Sequence, residues 1–272
     1  MPDNNASRLT ELLAPYRARA RCPYSGQPDA AAALLSDGTW VPGVRVESAS
    51  FSLAIDAPLN AITTAVTAGR TDIAAVVLLS PATRSQAAYL EELPFASLHA
   101  RDHLTFASSD MSSHTGGLPS PGQALEPFID APALQTPEAG IALARRLSSN
   151  AFTPLSRFPV GCVLELQNGK LISGVNVEHP DWNHILCAER NALGTAVTYG
   201  CESLITAVFL SCAHDPNGTP CGACRQLLTE LAPDSTIVMD RGNAQPESST
   251  PSSLLPGSFT GSAILTAPDQ DF

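Results

Sequence analysis

The chain contains the same stretch twice. Laid over residues 153–192 at an offset of 131, residues 22–61 give about a dozen ungapped identities in forty positions. Pro23 falls on Pro154, Ser25 on Ser156, Pro28 on Pro159 and Gly38 on Gly169. Gly43-Val44 falls on Gly174-Val175, Val46-Glu47 on Val177-Glu178, Ala57 on Ala188, and Asn60-Ala61 on Asn191-Ala192. Two unrelated alanine-rich stretches share a few positions by chance. They do not share a Gly-Val-x-Val-Glu and a helix start in one register, so the fold is built from two copies of one unit.

The order of elements repeats with the residues. The pattern predicts a Ser-capped helix over 7–20, a strand pair at 30–35 and 40–46, a helix at 57–68, a buried strand at 73–79 and a helix at 84–93 stopped by Pro94. Residues 108–136 are rich in Ser, Pro and Gly and read as a loose connection with a short turn of structure near 124–129. The pattern then restarts, with a helix at 138–147, strands at 160–166 and 170–177, a helix at 187–199, a strand at 207–211, a helix at 221–231 and a strand at 236–239. The tail from Gln245 is mostly polar. Strands alternating with helices define an α/β class. The expected organisation is a degenerate domain over 1–107, a linker over 108–136 and a chemistry-bearing domain over 137–272.

Charge narrows the partners. The formal net charge is −11, and Lys170 is the single lysine. A polynucleotide ligand demands a basic stripe, and none is visible, so a small substrate is favoured over a nucleic acid polymer. No apolar run approaches the roughly 20 residues that cross a bilayer, so no membrane partner is expected. Met1 to Glu11 has neither a basic nor an apolar leader pattern, and the expected location is cytoplasmic. The seven cysteines are an odd number in a long chain, which argues against a disulfide framework.

Three of those cysteines carry the chemistry. Cys187-Ala188-Glu189-Arg190 is followed by Pro220-Cys221-Gly222-Ala223-Cys224-Arg225-Gln226. A Cys-x-Glu answered about 30–35 residues later by Pro-Cys-x-x-Cys is a zinc-deaminase signature. Cys221 and Cys224 lie one helical turn apart and can present both sulfurs to one point, while Cys187 must come from a second helix start. Three protein ligands leave a fourth coordination position open, the mark of a catalytic zinc site. Glu189, two residues after a ligand, is placed to shuttle protons. Zinc with three thiolates is net negative, so helix N-termini and Arg190 and Arg225 should offset that charge, with at least one arginine expected on a ligand sulfur. In the first copy Asp56 stands for Cys187, Pro58 for Glu189, Arg45 for Asn176 and Gln27 for Phe158, with Ala82 and Ser85 for Cys221 and Cys224. Other readings of the residues are a redox Cys-x-x-Cys and a closed structural site with His179, His184 or His214 as fourth ligand.

Together these motifs resemble the cytidine deaminase family. Phe158-Pro159-Val160-Gly161, Gly174-Val175-Asn176-Val177-Glu178, Cys187 to Arg190, Pro220 to Gln226 and Ser253-Leu254-Leu255-Pro256-Gly257-Ser258-Phe259 follow one another in the family's order. The resemblance implies two tandem α/β/α sandwiches, each with a mixed, roughly five-stranded sheet. It implies zinc on Cys187, Cys221 and Cys224, one ion per chain, and proton transfer by Glu189 to the pyrimidine N3 and the leaving ammonia. Asn176 and Glu178 would hold the ribose, and Phe158, Ala188 and Phe259 would contact the rest of the nucleoside, Phe259 often across a subunit boundary. The implied reaction is hydrolysis of cytidine or deoxycytidine to the uridine, as in pyrimidine salvage, by a homodimer whose dead copies supply neighbour contacts. Phe51, in register with Trp182, is a candidate for such a contact.

His179-Pro180-Asp181-Trp182 departs from the family pattern after the glutamate. It motivates a second reading, deamination of a modified cytosine nucleoside of the antibiotic type. A third reading is a non-enzymatic module built on structural zinc.

Overall fold

Both halves present a helix, a strand hairpin, a helix and a further strand in the same order. The computed structural model describes residues 3–109, 117–132, 134–212 and 214–265. The first half comprises α1 (Asn4–Arg17), β1 (Ala30–Leu35), β2 (Trp40–Val44), α2 (Ala57–Thr67), β3 (Ile73–Leu78), α3 (Arg84–Glu91), β4 (Leu98–Ala100) and β5 (Thr105–Ser108). The second comprises α4 (Pro137–Leu147), β6 (Val160–Leu166), β7 (Leu171–Val175), α5 (Ala188–Thr198), β8 (Ile205–Cys212), α6 (Gly222–Leu231), β9 (Thr236–Met239), β10 (Glu247–Ser249), α7 (Pro251–Leu254) and α8 (Ser262–Leu265). No helix among the described residues is long and apolar enough to cross a membrane.

Each half forms one five-stranded sheet, and the two sheets close differently. In the second half the order is β10-β9-β8-β6-β7, with β8 and β9 parallel and the other pairs antiparallel. Helix α6 makes the crossover that a parallel pair requires. In the first half the order is β2-β1-β3-β5-β4 and every pair is antiparallel. The mixed sheet expected of both halves is therefore found only in the second. Burial explains the difference. Thr105, Phe106 and Ala107 of β5 are buried, whereas His99 and Ala100 of β4 are exposed. The apolar strand takes the place beside β3, and the polar one is left at the edge.

Three local expectations change. Helix α1 is capped by Asp3, which accepts from Asn5 N at 2.9 Å, so it begins a turn earlier than a Ser7 cap would allow. Strands β4, β5 and β10 were not legible, being short and half polar. The connection over 108–136 is tied down where it is described; residues 110–116 and 133 lie outside the described residues. Trp40 N donates to Gln123 O at 3.2 Å, Leu125 N to Trp40 O at 2.8 Å and Ile129 N to Leu171 O at 2.9 Å. The segment thus runs along β2 and then β7, the edge strand of each sheet, and satisfies backbone groups that an edge leaves open.

Alternate residues of the second sheet face opposite helices. Val163, Leu171, Phe209 and Val238 pack with Ile141, Leu143 and Ala144 of α4. Cys162, Leu164, Val208 and Ile237 point the other way, into a core with α5 and α6. That second core is continuous with the first half, running from Leu9 and Leu34 through Leu164 and Leu193 to Met239. Only small residues let strand and helix approach so closely. A Cβ on Gly43 would lie 2.2 Å from Ala61 N, and one on Gly174 would lie 2.2 Å from Ala188 O, at the same place in each copy.

Helices α2 and α5 join the halves about a pseudo-twofold axis. Thr64 Oγ1 and Thr195 Oγ1, 131 residues apart, meet at 2.8 Å on that axis. Asn60 Nδ2 donates to Gly194 O at 3.1 Å and to Thr198 Oγ1 at 3.0 Å. Reciprocally, Asn191 Nδ2 donates to Thr63 O at 3.1 Å and to Thr67 Oγ1 at 2.7 Å. This is the self-complementary contact of a symmetric dimer, made within one chain. Gly43→Ala and Gly174→Ala should each destabilise the protein by about 1–3 kcal/mol through overpacking, read from urea unfolding; losses below about 0.5 kcal/mol would show that strand and helix have room to part.

Candidate active site

Two helix starts build the centre. Cys187 is the N-cap of α5 and Cys221 the N-cap of α6, both with extended backbone, and neither side chain caps its helix. Their sulfurs are left free to converge. The sulfurs of Cys187, Cys221 and Cys224 all lie within 4.8 Å of one another, the only such group of potential metal ligands among the described residues. Cys187 Sγ is 3.8 Å from Cys221 Sγ, which is 3.5 Å from Cys224 Sγ. A tetrahedron with zinc–sulfur arms of about 2.3 Å has edges of about 3.8 Å, so the three thiols fit zinc without rearrangement. Without the ion, hydrogen bonds from Cys187 and Cys224 hold the Cys221 thiol far below its usual range, while the same contacts push Cys187 and Cys224 up. One thiolate shared by two thiols is what a metal would replace.

Glu189 lies in the first turn of α5 and is 4% exposed. Burial raises its carboxyl to about 7, with the Cys221 charge adding to the effect, against the opposing pull of Cys224 and Arg190. A carboxyl that gains and loses a proton near neutrality is suited to acid–base work.

The arginines do not touch the sulfurs. Arg190 Nη2 donates to Leu53 O of the first half at 3.0 Å. Arg225 donates from Nε to Pro220 O at 2.8 Å, from Nη2 to Thr219 Oγ1 at 2.6 Å and from Nη1 to Leu254 O at 3.1 Å. The expected sulfur contact is thus replaced by bonds to backbone carbonyls and a hydroxyl. Arg225 braces the loop that delivers Cys221, and Arg190 ties the reactive helix to the first half.

Phe158, Asn176 and Glu178 gather at the adjoining ends of β6 and β7. Asn176 Oδ1 accepts from Val160 N at 2.8 Å and Nδ2 donates to Phe158 O at 2.9 Å, so this amide sets the turn that carries Phe158. Arg157, just before it, has φ 56°, where the first half places Gly26. That left-handed backbone is unfavourable for arginine. Glu178 is buried, and its Oε2 accepts from Leu155 N at 2.7 Å and Ser156 N at 3.1 Å. Ala188, fully buried, heads α5 between Cys187 and Glu189. Phe259 is 51% exposed, its carbonyl accepting from Gln226 Nε2 at 2.6 Å. Beyond it the tail leads to the first half, where Gly261 abuts Tyr24 and Ala49.

The first half keeps the scaffold without the ligands. Glu47 Oε2 accepts from Tyr24 N and Ser25 N as Glu178 does from Leu155 N and Ser156 N. A cavity of about 340 Å³ remains there, lined by Arg45, Glu47, Phe51 and the tail's Ile264 among others. Asp56 stands at the N-cap position of Cys187, and its side chain makes no cap bond. Helix α3 starts at Thr83, whose hydroxyl forms a capping box with Gln86. Matched by helix start, Cys221 and Cys224 therefore correspond to Thr83 and Gln86, one residue on from Ala82 and Ser85. The positions of Cys221 and Cys224 thus present sulfurs in one half and satisfy backbone N–H groups in the other. His184 Nε2 meets Ser85 Oγ at 3.1 Å, and the rings of His179 and His184 pack on Tyr89. Neither histidine joins the cysteine cluster.

Glu230 escaped the sequence reading. It accepts from Ser48 Oγ at 2.7 Å and Ala49 N at 3.0 Å, anchoring α6 to the first half. Nothing in its local pattern marks it. The repeated Asn60/Asn191 pair, by contrast, was visible in register.

Residues 134–240 match the family model for the cytidine and deoxycytidylate deaminase zinc-binding region. A cytidine deaminase of Halalkalibacterium halodurans is 40% identical over 112 residues, covering 40% of this chain and 83% of that protein. One of Sporosarcina psychrophila is 32% identical over 131 residues, covering 48% of this chain and 96% of the relative. A blasticidin-S deaminase of Bacillus cereus is 29% identical over 108 residues, covering 37% and 76%. Among solved structures, a cytidine deaminase from Burkholderia pseudomallei shares 34% identity over 46% of this chain and 100% of that one, with a TM-score of 0.44.

Burial of Glu189 gives a pH signature. Its carboxyl titrates near 7 when folded and near the ordinary 4.5 when unfolded. Between those values the native state holds a proton that the unfolded chain has released. Relative to Glu189→Gln, the metal-free protein should therefore lose stability as pH rises from about 4.5 to about 7, the opposing contribution of the Cys221 thiolate being present in both. Urea unfolding of the two proteins across that range should show the more negative slope in the unsubstituted one; equal slopes would refute the assignment.

Proposed function

The chain belongs to the cytidine deaminase family, and on that premise we propose that its second half hydrolyses the C4 amino group of cytidine or deoxycytidine. The observation that carries this reading is the convergence of three sulfurs beside a buried glutamate with a raised pKa.

Cys187, Cys221 and Cys224 would hold the zinc, which when bound supplies Lewis-acid activation of water. Glu189 takes a proton from the attacking water as oxygen bonds to C4. It gives that proton to N3, takes the second from the new C4 hydroxyl and delivers it to the departing nitrogen, so the C4–N bond breaks, the water oxygen stays as the uridine carbonyl and the amine leaves as ammonia. Among the described residues Glu178 Oε1 has no protein partner, while Oε2 is pinned by two amides, and a ribose hydroxyl donates to the free oxygen. Asn176 shapes the turn that sets Phe158 against the base. The amide of Ala188, in the first turn of α5, has no partner within the helix and is offered to the base. The organisation into an inert domain (1–107), a connection (108–136) and a catalytic domain (137–272) follows from the same assignment.

A second copy of the chain completes the assembly. Phe51 is 89% exposed and Trp182 79%, and the two are equivalent under the 131-residue repeat. Aromatic pairs exposed at symmetry-related tips favour burial against a partner. Phe259, half exposed, is then available to a neighbouring site. Sedimentation should give a dimer, and the Phe51→Ser/Trp182→Ser double variant a monomer; an unchanged dimer would remove these residues from the interface.

The Trp182 segment and the likeness to a blasticidin-S deaminase favour modified cytosine nucleosides as a second substrate class. Purified, zinc-quantified protein should be assayed on cytidine, deoxycytidine and modified nucleosides in parallel. Activity on cytidine or deoxycytidine is expected, and activity confined to modified nucleosides would overturn the leading reading. Glu189→Ala should lower kcat by more than about a thousandfold with zinc retained, and Cys221→Ala should lose zinc. Substantial turnover in the first, or full metal occupancy in the second, contradicts those roles.

A further inference from the structure

Of the residues by which α5 meets the first half in the seam, Asn191 lies nearest the cysteine cluster. Asn191 lies in α5 one turn after Cys187, and its carboxamide is fully buried. Its Nδ2 hydrogens are shared among three acceptors: Val175 O at 2.8 Å, Thr67 Oγ1 at 2.7 Å and Thr63 O at 3.1 Å. Thr67 Oγ1 also accepts from Val175 N at 3.3 Å. Val175 directly precedes Asn176 and lies three residues before Glu178. A hydroxyl from the first half is therefore inserted between the helix that carries Glu189 and the strand end that leads to Asn176 and Glu178.

We propose that the inert half positions the reactive centre through this contact: Thr67, acting on Asn191 and Val175, fixes the spacing between the proton-shuttling helix and the nucleoside-holding strand end. The inference rests on the deaminase reading above. Little slack exists at this point, since Gly174 admits no side chain against Ala188 O and Ala192 N. Displacement by about 1 Å is enough to cost on the order of a hundredfold in rate.

The duplication provides an internal control. Asn60 donates to Val44 O at 2.9 Å, Thr198 Oγ1 at 3.0 Å and Gly194 O at 3.1 Å, the mirror of the Asn191 set. Its helix carries Pro58 in place of Glu189, and its strand leads to Arg45 in place of Asn176. Damage to the mirror set weakens the same seam at the far end of α5, where Thr198 lies nine residues beyond Glu189.

The test uses zinc-loaded full-length protein and two matched pairs, Thr67→Val against Thr198→Val and Asn191→Leu against Asn60→Leu. Thr67→Val is the milder change and keeps the test usable if Asn191→Leu does not fold. Within each pair Tm should fall by similar amounts and zinc content should stay at one per chain. In Thr67→Val and Asn191→Leu, kcat/KM for the best nucleoside should fall about 10- to 100-fold, and calorimetric affinity for uridine should weaken about tenfold. The mirror variants should stay within about twofold on both. If Thr67→Val keeps both quantities within about twofold, or Thr198→Val loses as much, the positioning role is overturned. A wild-type chain that binds uridine without turning over any cytosine nucleoside overturns the function alone, since the affinities still decide the positioning; one that does neither overturns both.

Discussion

The seam between α2 and α5 holds the rest of the protein in relation. Its polar residues are buried at a contact between two helices, and their amide donors must find partners there because water is excluded. Asn60 and Asn191 do so by reaching across the axis to the other copy's threonine and backbone carbonyl, while also gripping Val44 O and Val175 O within their own copy. A slip of one half against the other would break the bonds that cross the axis and leave buried donors short of acceptors. Such groups cost more when left unpaired than a paired bond contributes on balance, so the seam specifies one arrangement of the halves as well as holding them together.

Because the seam is self-complementary, the sequence of one copy could drift without losing it. The first half keeps Gly43 against α2, Glu47 against the backbone of Tyr24 and Ser25, and Asn60 in the axis contact. It has replaced the helix-cap cysteines with Asp56 and with the Thr83–Gln86 capping box. The same positions thus serve two ends. At the second of these helix starts, Cys221 leaves its sulfur free for a metal, and Thr83 in its place satisfies the helix.

Much of the centre was legible in the chain because its chemistry is local. A metal ligand at an N-cap and a second pair one turn apart on another helix are set by spacing alone. Cys187, Cys221, Cys224 and Glu189 come together as their spacing implied. The arginines illustrate where spacing fails. Arg190 and Arg225 follow the motif directly, yet their long side chains reach Leu53 O and the Thr219–Pro220 loop, because flexible cations go to whichever carbonyls the fold places within reach. Phe259 likewise sits on a tail whose course toward Tyr24 and Ala49 depends on the other half.

By itself the sequence determined the repeated stretch, the α/β class and which three cysteines could meet beside a glutamate. Each of these is fixed by residue type and by distance along the chain. Tertiary structure alone decided that the first sheet is wholly antiparallel, that the connecting segment runs along one edge of each sheet, that the cysteine counterparts are Thr83 and Gln86, that Thr67 reaches into the second half and that Glu230 reaches into the first. These depend on which buried groups meet across more than a hundred residues of chain. Competition among buried polar and apolar surfaces settles such contacts, and no local pattern encodes its outcome.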